Sequence, residues 1–371
     1  MQVLGSVALD LLGGLVFGFL GAEGYLRYMN LAPSQLQGSH IVLPRNHIYH
    51  YDHIALRGCD SNLVHTRNSL GFRGSEPPQD FKNALTVVAV GDSATESFYL
   101  SDGKTWPERL QAHLSRQYPS LWINNAGLDG LSTFGYRFLI EENLLTLKPK
   151  IILLMAGPSD VGREDLNVED IKIVHPSMYR TFWSFIEGKS RLITFISNLA
   201  RTAVAGRHGI QHGNLDVRYA RKASASSSTR ANAPGHRQET YLRGYEKRLR
   251  ALVDLCKRNG IVPVLITQPV LYGPMKDDVT GVDLGRLEGP EGLSGEEAWV
   301  LLNRYDEITR RVAQDTHIPV IDVARKLPKS TRYFYDYFHF TNAGAERVGD
   351  IVSQELSPIV HRYFPAFKKH V

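Results

Sequence analysis

Hydrophobic positions along the chain gather into short unbroken runs separated by longer segments of helical spacing. Leu85 to Val90, Ile151 to Met155, Ile261 to Thr267 and Ile318 to Val323 are nearly continuous apolar stretches, and Leu121 to Asn124 is a shorter one. Runs of that length without polar alternation predict strands buried on both faces. Between them, Thr105 to Gln117, Tyr136 to Leu147, Glu239 to Arg258 and Glu296 to Thr316 space their apolar residues as helices do. Pro107 falls where a first turn tolerates it, Asn259-Gly260 stops the third of these helices, and Thr341 is a plausible cap for a closing helix over Asn342 to Leu356. Strands alternating with helices predict parallel pairing through helical crossovers, hence a three-layer α/β/α sandwich with a mostly parallel sheet.

The remaining segments lack that rhythm. Residues 31–84 are an irregular lead-in to a domain spanning 85–360. Residues 164–200 are helical and partly amphipathic, and Leu271 to Gly295 is a glycine-rich connection. The stretch at about 201–237, with "ASASSSTRANAPG", is predicted to be a flexible, basic, solvated insertion.

The N-terminus, residues 1–30, adds a further element. Val3 to Leu20 is apolar and glycine-rich, and roughly as long as a membrane span requires. Asp10 interrupts it, and a carboxylate at mid-bilayer costs about 2.5–3.5 kcal/mol on insertion scales. The expectation is an uncleaved membrane helix, with a cleaved signal peptide and a soluble amphipathic helix as alternatives. Arg27, following the segment, would by the positive-inside rule leave the rest of the chain in the cytoplasm.

Composition changes this picture little. The 371 residues suffice for one large core, and a net charge of +5 from 43 basic and 38 acidic residues gives no reason to expect nucleic acid as a partner. Cys59 and Cys256 form neither a metal-type spacing nor a disulfide framework. Nothing in the sequence fixes the oligomeric state.

Candidate chemistry lies at the carboxyl ends of the predicted strands, where parallel α/β sheets place ligands. "VVAVGDSATES" puts Ser93 just past the first strand; Asn125, Gly127 and Gly130 follow the second, and "GPSD", Gly157 to Asp160, the third. A serine nucleophile needs a base. "YFYDYFHFTNAG" supplies Asp336 and His339, three apart, a spacing that lets the carboxylate hold the imidazole. Backbone N–H groups of Ser93 and Gly130, and the Ser159 hydroxyl, are candidate oxyanion donors. An α/β-hydrolase elbow is excluded, since G-x-S-x-G needs glycine where Thr95 stands. His47, His50 and His53 lack a metal-site pattern and read as a packed loop, Glu96 as a helix-surface carboxylate, and the Tyr333 to Phe338 aromatics as core or as a substrate-contacting wall.

In these blocks the sequence resembles the SGNH or GDSL-type hydrolases. Gly91-Asp92-Ser93 matches the block with the nucleophile, "NAGLDG" the block with the oxyanion glycine at Gly130, and Asp336-x-x-His339 the last block. The resemblance spans roughly Thr66 to Leu356; "RNSLGFRG" and "TWPERL" are similar to a bacterial, membrane-anchored branch. It implies catalytic Ser93, Asp336 and His339, no cofactor and no metal, an acylated small molecule or carbohydrate as substrate, and a catalytic domain on the extracytoplasmic side. One position departs: Ser159 stands where the family carries an asparagine donor, while Asp160 matches a structural aspartate. The expected function is therefore a serine esterase working through an acyl-enzyme. Transfer of an acetyl group to or from a cell-surface polysaccharide is the second reading, and a non-catalytic carbohydrate-binding or assembly protein the third.

Overall fold

The computed structural model describes residues 2–28, 36–37, 40–162, 186, 189–196, 212–223 and 235–367. They belong to two compact units, one of residues 1–44 and 172–211, the other of residues 45–171 and 212–371.

In the first unit, helix α1 runs over Gln2–Tyr28. Its Glu23 carboxylate accepts hydrogen bonds from the Ser190 hydroxyl at 2.8 Å and from the Arg191 and Leu192 N–H groups at 3.0 and 2.9 Å, at the start of the helical turns over 191–196. The predicted N-terminal helix is thus present, but among the described residues no helix is long and apolar enough to cross a membrane. The expected membrane span is therefore not supported: Asp10 interrupts the apolar stretch, and Glu23 gives the last turns a polar task. The remainder of the predicted helical stretch over 164–200 lies outside the described residues.

In the second unit, an antiparallel hairpin of β1, His47–Tyr51, and β2, Leu63–Arg67, precedes the sheet. The sequence reading left this segment irregular. Its apolar residues are mixed with histidines and no clean alternation marks them, and packing orders it: Leu63 is buried, and Tyr49 and His65 meet Phe98, with ring centroids 5.4 and 4.7 Å away.

Five strands form one parallel sheet: β3, Leu85–Val90; β4, Leu121–Asn125; β5, Ile151–Ala156; β6, Val262–Thr267; and β7, Val320–Ile321. The spatial order is β4-β3-β5-β6-β7. β3 and β5 are buried at every position, as their unbroken apolar runs required. One set of alternate residues, including Val87, Ala89, Leu153 and Met155, joins Trp106, Leu110, Val348 and Val352 in one core cluster. Those partners come from two mutually packed helices, α3 over Trp106–Leu114 and the closing helix, α8, over Asn342–Tyr363. α4, Thr133–Leu139, α5, Gly235–Arg258, and α6, Gly295–Asp315, pack in their own group, α5 and α6 against β6.

Boundaries moved where tertiary contacts intervened. The predicted helix after β4 begins at Thr133 and passes into a π turn at Ile140–Leu144. The last predicted strand shortens to two residues because Asp322 caps a short helix, α7, over Val323–Lys326, accepting from the Arg325 N–H. Within the predicted insertion, residues 212–223 are built into this unit, with Val217 buried and the Leu215 N–H donating to the Tyr335 carbonyl. The rest of that insertion before Gly235 lies outside the described residues.

Candidate active site

Three strand ends and the approach to the closing helix supply the site. Past β3, the chain enters α2, Ser93–Glu96, a single turn that Asp92 caps by accepting the Ala94 N–H at 2.9 Å. Ser93 is therefore the first helical residue, held at the mouth of the sheet.

His339 reaches it from a position 246 residues away in sequence, with Nε2 2.7 Å from the Ser93 Oγ. Its Nδ1 lies 2.7 Å from Asp336 Oδ2. Since an ionised carboxylate only accepts, Nδ1 carries the proton and Nε2 is left to accept from the serine. The Asp-x-x-His spacing works because Asp336 serves two tasks. Oδ1 accepts the Phe338 and His339 N–H groups at 2.9 and 2.8 Å, closing the turn, while Oδ2 holds the ring. Burial opposes a charge on His339, but the Asp336 carboxylate outweighs it, aided by Asp129 and Asp92, and its pKa is raised above 6.5.

The second strand end forms the turn carrying Gly130. Asn125 Oδ1 accepts the Gly127 N–H at 2.9 Å and its Nδ2 donates to the Thr95 carbonyl at 2.6 Å, tying the turn to α2. A Cβ on Gly127 would lie 2.3 Å from the Glu96 nitrogen, so only glycine allows this approach. Gly130 has φ +74°, and its N–H hydrogen-bonds the neighbouring Asp129 carboxylate.

Ser159 departs from its expected role. Its hydroxyl donates to Asp92 Oδ2. A hydroxyl has one proton, so in this arrangement it is committed to a buried carboxylate and is not aimed at an oxyanion. Asp92 is enclosed, and burial raises its pKa against the pull of Ser159 and the Ala94 N–H. Ser159→Ala is thus expected to hold kcat on an activated acetyl ester within about threefold and to lower unfolding free energy by about 1–3 kcal/mol, as the carboxylate loses a donor. Steady-state kinetics beside denaturant unfolding check this; a tenfold kcat loss at unchanged stability would restore the donor role.

Other candidates resolve individually. Asp160 is buried and accepts from the Thr133 hydroxyl at 2.5 Å and from Arg248 at 3.3 Å, tying α4 to α5. Glu96 is neither a surface carboxylate nor a substrate contact: it is fully buried, pairs with Arg67 and accepts the Asp129 N–H at 2.5 Å. This explains "RNSLGFRG". Arg67 neutralises Glu96, and Arg73, also buried, donates to the carbonyls of Glu96, Ser97 and Leu100 at 3.0, 2.5 and 2.6 Å, clamping the chain that leaves α2. His47 and His50 sit three apart on β1, where strand alternation sends their side chains to opposite faces and prevents a shared metal. Of the aromatics near His339, Phe334 packs on Phe340 in the core, whereas Tyr335 stacks on His339 itself at 5.6 Å.

His212 was not anticipated. Its ring lies over His339 with centroids 4.0 Å apart, and Nδ1 is 2.9 Å from the Tyr335 hydroxyl. It sits in a stretch whose composition signalled a solvated loop, with no motif spacing to mark it.

The comparisons with known proteins fit this geometry unevenly. An N-(5'-phosphoribosyl)anthranilate isomerase of Bacillus thuringiensis strain Al Hakam is 31% identical over 126 residues, 32% of this chain and 57% of that protein. The chain thus spans little more than half the length of the curated relatives it matches. Among solved structures, an acetylxylan esterase, Axe2, from Geobacillus stearothermophilus is 16% identical with a TM-score of 0.41, covering 73% of this chain and 93% of its own. A lipase/acylhydrolase from Enterococcus faecalis is 12% identical with a TM-score of 0.42, covering 74% and 96%. Assignment rests on neither set. It rests on the match of residues 89–347, from the end of β3 into α8 and including Ser93, Gly130, Asp336 and His339, by which the chain belongs to the GDSL-like lipase/acylhydrolase family.

Proposed function

We propose that the protein cleaves a carboxylic ester of an acetyl or other short acyl group through an acyl-enzyme on Ser93. The observation that supports this best is the unbroken hydrogen-bonded line from Asp336 through His339 to Ser93. In the first half-reaction the Ser93 oxygen attacks the ester carbonyl while His339 Nε2 takes the hydroxyl proton. The tetrahedral intermediate collapses, the acyl–oxygen bond to the alcohol breaks, and His339 returns the proton to the departing alcohol. Water then attacks the acyl-enzyme with the same histidine as base, releasing the acid and restoring Ser93. Asp336 holds the ring in its productive tautomer and favours the imidazolium.

The oxyanion falls to the Ser93 and Gly130 N–H groups. Because Gly130 already donates to Asp129, the developing negative charge competes with that carboxylate for the same donor. The rings of Tyr51, Tyr49, Phe98 and Tyr99, each within 6.5 Å of the next and mostly edge-on to one another, continue to His212 and offer the alcohol part of the substrate an aromatic, hydroxyl-bearing surface. That surface suits a carbohydrate alcohol, and with it the second reading, acyl transfer to a sugar hydroxyl in place of water.

The test is covalent labelling with a fluorophosphonate. Wild-type protein is expected to be modified at Ser93, and folded Ser93→Ala to be neither modified nor able to turn over short-chain esters. Turnover retained by Ser93→Ala would remove the proposal.

A further inference from the structure

We propose that His212 is a positioning residue for the reaction, holding the His339 ring in line with Ser93 and setting the ionisation range in which His339 acts as base; this rests on the acyl-enzyme reading above. Contacts around His212 are built from several elements. Its ring stacks over His339 with a 4.0 Å centroid separation and 32° between planes. The Tyr335 hydroxyl meets Nδ1 at 2.9 Å, Asp129 Oδ2 lies 3.7 Å from Nε2, and the Tyr99 ring abuts edge-on at 4.9 Å. Its loop is pinned as well: Arg57 donates to the carbonyls of Leu215 and Phe334 at 3.0 and 2.7 Å, and the Arg57 N–H to Asn214 Oδ1 at 2.6 Å.

This arrangement excludes two other roles. Nδ1 and Nε2 are directed to Tyr335 and Asp129, so His212 is not a second base for Ser93. His212, Asp336 and His339 bring ligand atoms within 4.8 Å of one another, but a metal there would have to break the Asp336–His339 hydrogen bond that holds the catalytic imidazole.

Two consequences follow for His339. First, Asp336 fixes one edge of the imidazole, and rotation about that hydrogen bond would carry Nε2 away from Ser93. A ring packed on its face blocks that motion, and misplacing a reacting group by about 1 Å can cost 10²-fold in rate. Second, the charged and titratable groups facing the pair are Asp129, Asp336, Asp92, Tyr99 and Tyr335, with Arg57 acting through Asp336. The three carboxylates favour a proton on His339. His212 opposes it by engaging Asp129: its Nε2 lies 3.7 Å from Asp129 Oδ2 and draws that carboxylate's field away from His339. Removing His212 therefore moves the acid limb of the rate profile to higher pH.

The experiment compares wild type, His212→Ala and His212→Phe in fluorophosphonate labelling and in pH-dependent turnover of an activated acetyl ester. His212→Ala is expected to lose about tenfold in kcat and in labelling rate with KM within about threefold, and to shift the acid limb upward by about half a pH unit. His212→Phe keeps a ring over His339, so its kcat is expected to return to within about threefold of wild type while the limb remains shifted. A merely structural histidine would change stability and leave the limb in place. Unchanged kcat, labelling and acid limb in His212→Ala overturn the inference. If His212→Ala does not fold, an unshifted limb in His212→Phe overturns it equally. Wild-type protein whose Ser93 stays unlabelled overturns the acyl-enzyme reading, and this inference with it.

Discussion

Asp336→Asn is expected to lower kcat by roughly 10³- to 10⁴-fold with little loss of fold, the size of effect that a wrong histidine tautomer produces in a serine triad. The reason lies in the division of labour within this side chain. Oδ1 closes the turn by accepting the Phe338 and His339 N–H groups, and an asparagine carbonyl can accept the same two bonds. Its amide then occupies the place of Oδ2, opposite His339 Nδ1. An amide N–H cannot accept from Nδ1–H, so the imidazole adopts the other tautomer, puts its proton on Nε2 and confronts the Ser93 hydroxyl with a donor. The base is lost while the backbone geometry stays. Fluorophosphonate labelling, steady-state kinetics and denaturant unfolding of the purified variant check this together. Turnover within about tenfold of wild type would show that Asp336 does not govern the tautomer.

Arg67→Met is expected to lower stability by about 3–5 kcal/mol, because it leaves a buried carboxylate without its cation. Arg67 and Glu96 are both nearly inaccessible, and they touch side chain to side chain. Glu96 also accepts the Asp129 N–H, so its displacement disturbs the turn that presents Gly130. Ester turnover should therefore fall alongside stability. Arg67→Met/Glu96→Gln, which removes the charge with its partner, is expected to recover most of the loss. The pH dependence has a defined sign. Burial, opposed by Arg67, raises the Glu96 pKa above its ordinary value of 4.5. A group with a raised folded-state pKa binds more protons folded than unfolded, so its contribution is full below the unfolded value and is lost as pH rises through the folded one. Without Arg67 that folded value climbs further, so the deficit of Arg67→Met should be large at neutral pH and shrink on acidification. Urea unfolding at several pH values measures it; a deficit independent of pH would mean that Glu96 is not the source.

Legibility of the fold followed the kind of signal each residue carries. Leu85–Val90 and Ile151–Ala156 were readable because a strand buried on both faces must be apolar throughout. The capped helix start at Thr341 was readable because orphan N–H groups select a few side chains. The hairpin His47–Tyr51 with Leu63–Arg67 was not, since it is held by residues distant in sequence, among them Phe98, Asp102 and Glu96. The N-terminal apolar stretch gave a helix, but a helix and a membrane span share the same local pattern, and only the first is observed.

The same division holds at the site. By itself the sequence determined that a serine stands at the end of a buried strand, that an Asp-x-x-His turn stands before a capped helix, and that glycine-bearing turns follow the next two strands; these are local demands, written within a few residues of each other. Tertiary structure alone decided what each polar group faces. It turned the Ser159 proton toward Asp92, buried Glu96 against Arg67, and laid His212 over His339. A side chain's partner is set by residues distant in sequence, and burial in a medium of low dielectric turns the same carboxylate, hydroxyl or imidazole from a solvated group into one with a fixed and consequential neighbour.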